Sequence, residues 1–306
     1  MKALKQTGAH AVQMQAEAEQ QLGKKSPYTF QYYLSFLVIV RILTEAGPRK
    51  SIHNWISRYL IPPDEEPSDA VPYFRSGDDY EALILYVSRV IELAELLFNL
   101  QRVPTIQTVY RRIVDDLSGC EETILELEGL RLIALTQLPF RFVHTGAGLG
   151  LHYECEVYLL NGTTVHLEMK CKVETAEFSE SNVKNTLDHA RKKQLPPNKC
   201  GAILLKIPRH WRDNIETRTA LDRVIENAMR NSTRISAVIY YVRALFAEEP
   251  QAIATLAIKE VLNPNSPYYK ELEGGIFQNR LDNAPKSFWL PFGSLTPELL
   301  TKFDDN

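Results

Sequence analysis

The sequence predicts an α/β (α+β) fold, a mixed β-sheet flanked by helices with a helical N-terminal region, on three observations. Apolar residues recur at helical spacing through roughly the first 115 residues. After about residue 120, short alternating β-branched and aromatic runs begin, "FRFVHT" (140–145), "LHYECEVYLL", "TTVHLEMKCKVE", "GAILLKI" (201–207) and "RISAVIYYV" (234–242). Helical patterns of 15 residues or more separate the last three of these runs, so crossover connections join strands that lie parallel. The division is therefore a helical region over 1–117 and a sheet-bearing domain over 118–306.

In the first region "YTFQYYLSFLVIVRILTEAG" predicts a helix that ends at Gly47, with Pro48 beyond it as a stop signal. The Pro- and acid-rich "IPPDEEPSDAVPYFRSGDD" predicts a surface loop. From Asp78 to about Gln101 the polar residues Glu81, Ser88, Arg89, Glu92, Glu95 and Asn99 mark the wet stripe of a helix otherwise buried. Pro104 opens the next helix, whose apolar stripe is Ile106, Val109, Tyr110, Ile113 and Leu117. None of these helices carries chemistry; packing, a protein partner, or both explain them.

The helix "EETILELEGLRLIAL" leads into the strands. Ser181 or Asn182 starts "SNVKNTLDHARKKQL", which Pro196 stops, and Asp213 with Glu216 forms a capping-box pair for a helix reaching about Arg230. The segment "QAIATLAIKEVLN" is consistent with strand or helix. There is no Gly-rich phosphate loop and no internal repeat.

The net charge of −3 excludes an overall basic nucleic-acid protein and leaves local patches open. Four cysteines, Cys120, Cys155, Cys171 and Cys200, lack zinc spacing and disulfide density, and read as reduced thiols of a cytoplasmic protein. No stretch has the form of a signal peptide, and the strongest apolar run, "FLVIV", is closed by Arg41 and is too short to span a membrane. His144 and His152 flank "TGAGLG" without partners at metal-ligand spacing, and Trp55, Trp211 and Trp289 are spread too widely for a base-stacking platform.

The hairpin "LHYECEVYLLNGTTVHLEMKCKVE" (151–174) holds the chemistry. Residues two apart on a strand share a face, so Glu168, Lys170 and Lys172 lie together while Met169 and Cys171 face the other way. Whether Glu154 or Glu156 joins them depends on the turn. A two-residue turn at Asn161-Gly162 sets Cys155 opposite Glu168 and turns both acids away, leaving solvated charges. A type I turn at Leu160-Asn161, with Gly162 left-handed in a bulge, sets Leu159 against Thr163 and Glu154 against Glu168. A loop of Asn161, Gly162 and Thr163 selects Glu156 instead.

An acid in the second strand and Glu168-Met169-Lys170 in the third, within the order helix, three strands, helix, strand, resembles the core of the PD-(D/E)xK, or restriction-endonuclease-like, nuclease superfamily. The resemblance covers roughly residues 120–245 and implies Glu154, or else Glu156, and Glu168 as ligands of Mg2+ (or Mn2+), with Lys170 positioning or activating the attacking water. The family usually has Asp where this chain has Glu. Glu126 or Glu128 offers a further carboxylate, although helix solvation explains both.

Between Lys184 and Arg212 eight Lys and Arg stand against the single acid Asp188, an excess of +7 that suits phosphate contacts. Lys172, Lys184, Arg191, Lys192, Lys193 and Gln194 are the candidate DNA-binding residues; a basic wet helix face is the plain alternative. The expectation is a Mg2+-dependent nuclease acting on DNA. The alternative is a catalytically inactive nuclease fold serving as a binding or assembly subunit through its N-terminal helices, or an unrelated mixed-sheet domain.

Overall fold

The computed structural model describes residues 2–22, 28–47, 52–53, 55–56, 80–115, 120–143, 154–172, 176–230, 232–248, 251–277, 280 and 289–302. His144 and His152 lie outside these residues, as does the predicted loop after Ile61.

Five helices come first: α1 (Lys2–Leu22), α2 (Phe30–Ala46), α3 (Tyr80–Leu100), α4 (Ile106–Asp115) and α5 (Cys120–Leu135). Helix α2 begins where the Thr29 side chain accepts the Tyr32 N–H and ends at Gly47, whose N–H donates to Leu43 O at 3.1 Å. Then come β1 (Phe140–Phe142), β2 (Cys155–Tyr158), β3 (Thr164–Cys171), α6 (Glu180–His189), β4 (Cys200–Lys206), α7 (Arg209–Asp213), α8 (Ile215–Arg230), β5 (Ala237–Glu248) and β6 (Gln251–Leu262), with α9 (Pro297–Lys302) last.

The six strands form one sheet in chain order. The β1-β2-β3 meander is antiparallel, β3-β4 and β4-β5 are parallel, and β6 returns antiparallel to β5. The mixed sheet expected from sequence is therefore present, and the ambiguous segment after residue 250 is strand. Both helix starts differ from expectation. Ser179, not Ser181 or Asn182, caps α6 by accepting the Asn182 N–H, and the Asp213 region divides in two, with Asn214 Oδ1 accepting the Thr217 N–H at 2.9 Å to cap α8.

The two faces of the sheet bury different helices. Cys155, Val157, Val165, Leu167, Met169, Ala202, Leu204, Ile239 and Tyr241 join one continuous apolar cluster with helices α1 to α5. Ile203, Leu205, Val238, Tyr240 and Val242 pack on the other face against α6, α7 and α8. Trp55, Trp211 and Trp289 are all buried. Among the described residues no helix is long and apolar enough to cross a membrane.

One expectation for α3 fails. Glu92 and Glu95 are buried rather than solvated. Glu92 pairs with Arg243 on β5 and, at 3.3 Å, with Arg131 on α5. Glu95 accepts the Trp289 Nε1–H at 2.5 Å and the Phe292 N–H at 3.1 Å, which ties the C-terminal segment to α3. Their partners lie about 40 to 200 positions away in sequence, so helical periodicity alone reads them as wet.

Removing one member of a buried ionic network leaves uncompensated charge and costs about 3–5 kcal/mol. We expect Glu95→Ala to lower unfolding stability by that amount in urea denaturation, and to increase the exposure of Trp289 in fluorescence quenching of the native state.

Candidate metal and phosphodiester site

The turn between β2 and β3 determines the site. Leu159 N–H donates to Thr163 O at 2.9 Å, Gly162 N–H donates to Leu159 O at 3.0 Å, and Gly162 has φ +85°. That positive φ is where glycine avoids the Cβ clash of other residues. The connection is thus the odd-length one, Leu160-Asn161-Gly162, and the ladder runs Tyr158↔Thr164, Val157↔Val165, Glu156↔His166 and Cys155↔Leu167. One step further the same register would set Glu154 against Glu168, but the ladder ends at Cys155↔Leu167.

A second irregularity aims Glu154. Its N–H donates to Leu167 O at 3.1 Å, while Cys155 pairs with the same Leu167, so two residues oppose one in a β-bulge. Beyond it the Glu154 carboxylate, not a strand carbonyl, accepts the Met169 N–H at 2.8 Å. The side chain therefore lies at the seam where β2 leaves β3.

Around this seam is a cavity of about 140 Å³ lined by Glu122, Glu126, Gly129, Glu154, Met169 and Lys170, with Leu125, Cys171, Leu204 and Tyr241 completing it. Helix α5 forms one wall because Gly129 lets the backbone approach: a Cβ there would fall 2.5 Å from Met169 Sδ.

The electrostatics are those of an under-neutralised acidic cluster. Glu168 is 0 % exposed. Lys170 Nζ lies 2.5 Å from Glu168 Oε1 but off a hydrogen-bonding direction, and both Glu168 oxygens are buried without a hydrogen-bond donor. Glu154 and Glu168 are within hydrogen-bonding reach of each other, yet two carboxylates are both acceptors and satisfy each other only through a shared proton or a cation. Burial, then the charge of Glu168, pushes the Glu154 carboxyl well above its ordinary value; burial likewise raises Glu168, opposed by Glu154 and Lys170. Two like charges held close in a buried setting repel, and the single Lys170 ammonium at Glu168 Oε1 offsets only one of them.

The remaining candidates divide. Glu156 stands opposite His166 and is held by Arg141 Nε at 2.7 Å and Tyr158 OH at 2.8 Å, so its carboxylate is occupied away from Glu168. Lys172 donates to Thr186 Oγ1 at 2.8 Å, bracing α6 against the end of β3. Lys184, Lys192 and Lys193 are exposed, Arg191 pairs with Asp188 at 2.9 Å, and Gln194 Oε1 sits 3.3 Å from His189 Nδ1. Helix α6 crosses back from the end of β3 to the start of β4, where Leu195 packs on Gly201. This places Arg191, Lys192, Lys193 and Gln194 at the opposite end of the sheet from Lys170.

The +7 count is dispersed for the same reason: Lys206 is buried against Glu128 at 2.8 Å, and Arg209 pairs with Asp213 at 2.9 Å. Sequence reasoning undervalued Glu126 and Glu128, neither of which is an ordinary solvated helix acid. Arg112 grips Glu126 with both terminal nitrogens, and Glu128 holds the end of β4. A glycine inside the helical "ELEGLRL" was the available signal of close backbone approach.

Among the described residues, no group of three or more His, Cys, Asp or Glu side chains is placed to hold a metal ion. Comparison of the chain with protein-family models, with curated proteins and with solved structures gives no match.

Because the folded state favours protonated Glu154 and Glu168, their stabilising contribution is complete below the ordinary carboxyl value of 4.5 and is lost as pH rises through the elevated folded values. In EDTA, the urea midpoint should therefore fall as pH rises from about 4.5 toward neutrality, and Glu154→Gln should flatten that fall. A pH-independent difference between the two proteins would contradict the assignment.

Proposed function

We propose that this protein is a divalent-metal-dependent phosphodiesterase acting on nucleic acid, with DNA as the substrate class and a restriction-endonuclease-like core formed by α5, β1 to β3, α6 and β4. The observation that carries the reading is the buried pairing of Glu154 and Glu168 beside Lys170, produced by an odd-length turn and a bulge. A sheet that needed only packing would place apolar side chains there. The buried Glu168 carboxylate, met at Oε1 by the Lys170 ammonium and with Oε2 left without a donor, fits a hard cation, which takes one or two carboxylates and keeps several waters, so a closed cage is not required.

Glu154 and Glu168 would hold Mg2+ or Mn2+, which when bound would supply charge stabilisation at the phosphate oxygens and a more acidic water. The Met169 N–H fixes one Glu154 oxygen and leaves the other for a ligand. Lys170 is anchored to Glu168 and aims a cation into the cavity, where it positions a water or offsets charge building on the phosphate. Arg112 restrains Glu126 at the cavity wall, so that this carboxylate extends the acidic lining without collapsing onto Lys170.

The test is cleavage of plasmid and single-stranded DNA in Mg2+ or Mn2+ by wild type and by Lys170→Ala. Loss of a positioned group of this kind lowers the rate about 10²-fold or more. Equal cleavage by the two proteins would remove the catalytic assignment and leave the nuclease fold as a binding or assembly subunit.

A further inference from the structure

Two of the cations that sequence pattern assigned to the carboxylate site, Arg191 and Lys192, meet Arg234 elsewhere. A cleft of about 250 Å³ is lined by Arg191, Lys192, Ser232, Thr233 and Arg234, with no acid among its lining residues. We propose that this cleft binds a phosphate group, as a second anion site at the end of the sheet remote from Lys170.

Its construction is specific. The chain at Ala190–Gln194 leaves α-helical geometry for a π turn, closed by the Leu195 N–H donating to Ala190 O at 2.9 Å. Such turns are rare and frequently mark functional positions, because the extra residue re-aims the side chains around it. Here the turn is built from "ARKKQ". Arg234 reaches across to donate Nη1 to Arg191 O at 3.2 Å, which fixes its guanidinium at the cleft. Asp188 holds the Arg191 guanidinium from the other side at 2.9 Å. Ser232 Oγ accepts the N–H groups of Arg234 and Ile235, both at 3.2 Å, so the loop is rigid and the hydroxyl hydrogen is left to donate to an incoming oxygen.

The plain alternative is that these cations only offset the negative ends of α6 and α8. Each helix end carries about half a negative charge. Three lining cations against Asp188 and two such ends still leave the cleft net positive, by about one charge. Guanidinium groups fixed in place, with a hydroxyl beside them, match a phosphate in geometry as well as charge.

Position supports a role along an extended substrate. Arg234 O and Leu195 both pack at Gly201, which pairs with His166. Lys170 lies four residues further along β3, about 13 Å at 3.3 Å per residue. The site takes the same chemistry whether the phosphate belongs to a polynucleotide backbone or is free, and it does not depend on hydrolysis at Glu154 and Glu168.

The experiment measures labelled-oligonucleotide anisotropy across a salt series, and inorganic phosphate and pyrophosphate binding by calorimetry, for wild type, Lys192→Glu, Arg234→Gln and Lys170→Ala. Lys192 is exposed, so its replacement leaves folding intact. Weakened oligonucleotide binding, with the log-log salt slope reduced by about 0.7–0.9 per cation removed, supports the site with a backbone phosphate as ligand. Loss confined to inorganic phosphate or pyrophosphate supports it with a free anion as ligand. Unchanged affinity for both in Lys192→Glu and Arg234→Gln overturns it. Lys170→Ala, assayed in addition for DNA cleavage, keeps the failures separable, since it lies at the opposite end of the sheet from this cleft.

Discussion

Two carboxylates that share no donor are brought together at the seam between β2 and β3, and the rest of the site follows from that constraint. Repulsion between two buried carboxylates is only partly offset by the one Lys170 ammonium beside Glu168, so the fold must hold them together. It does so through backbone geometry. The Gly162 turn determines which face each acid occupies, the bulge at Glu154 and Cys155 swings the first acid to the seam, and the Met169 N–H holds it there. Protonation relieves the conflict at low pH, and the proposed metal ion would relieve it at higher pH.

Helix α5 is the support that keeps this arrangement in place. Within about one and a half turns, it presents Glu126 to Arg112, Glu128 to Lys206, Gly129 to Met169, and Arg131 to Glu92 and Glu95. Each contact reaches a different element: α4, β4, β3 and α3. The helix thus joins the N-terminal helices to the sheet at the seam itself, and the apolar cluster is continuous across it. A displacement of α5 would open the cavity wall and release the end of β4 at once.

Much of this was legible in the sequence where the determining interaction is local. Alternation in "TTVHLEMKC" and "GAILLKI" marked the strands, and the Asn161-Gly162 pair restricted the turn to a few forms. The choice among those forms was not local, because it depends on which side chains the sheet buries once β1, β4 and α5 are in place. Long-range pairing also hid the roles of Glu92, Glu95 and Glu128, whose partners are remote in sequence. The basic segment misled for a related reason: a linear charge count merges Lys206, buried beneath the sheet, with Lys192, exposed beyond the opposite end of the strands.

The bulge itself leaves no trace in composition, since Glu154 and Cys155 read as an ordinary alternating pair. Only the doubled opposition to Leu167 shows that the strand is re-aimed there. The most direct measurement is the anomalous scattering map of a crystal of the protein soaked in Mn2+ near neutral pH. The account predicts a peak between the Glu154 and Glu168 carboxylates at ligand distances of about 2.0–2.2 Å, as hard oxygen ligands require of a small divalent ion. A saturated soak with no peak there, or with manganese only at other carboxylates, would contradict it.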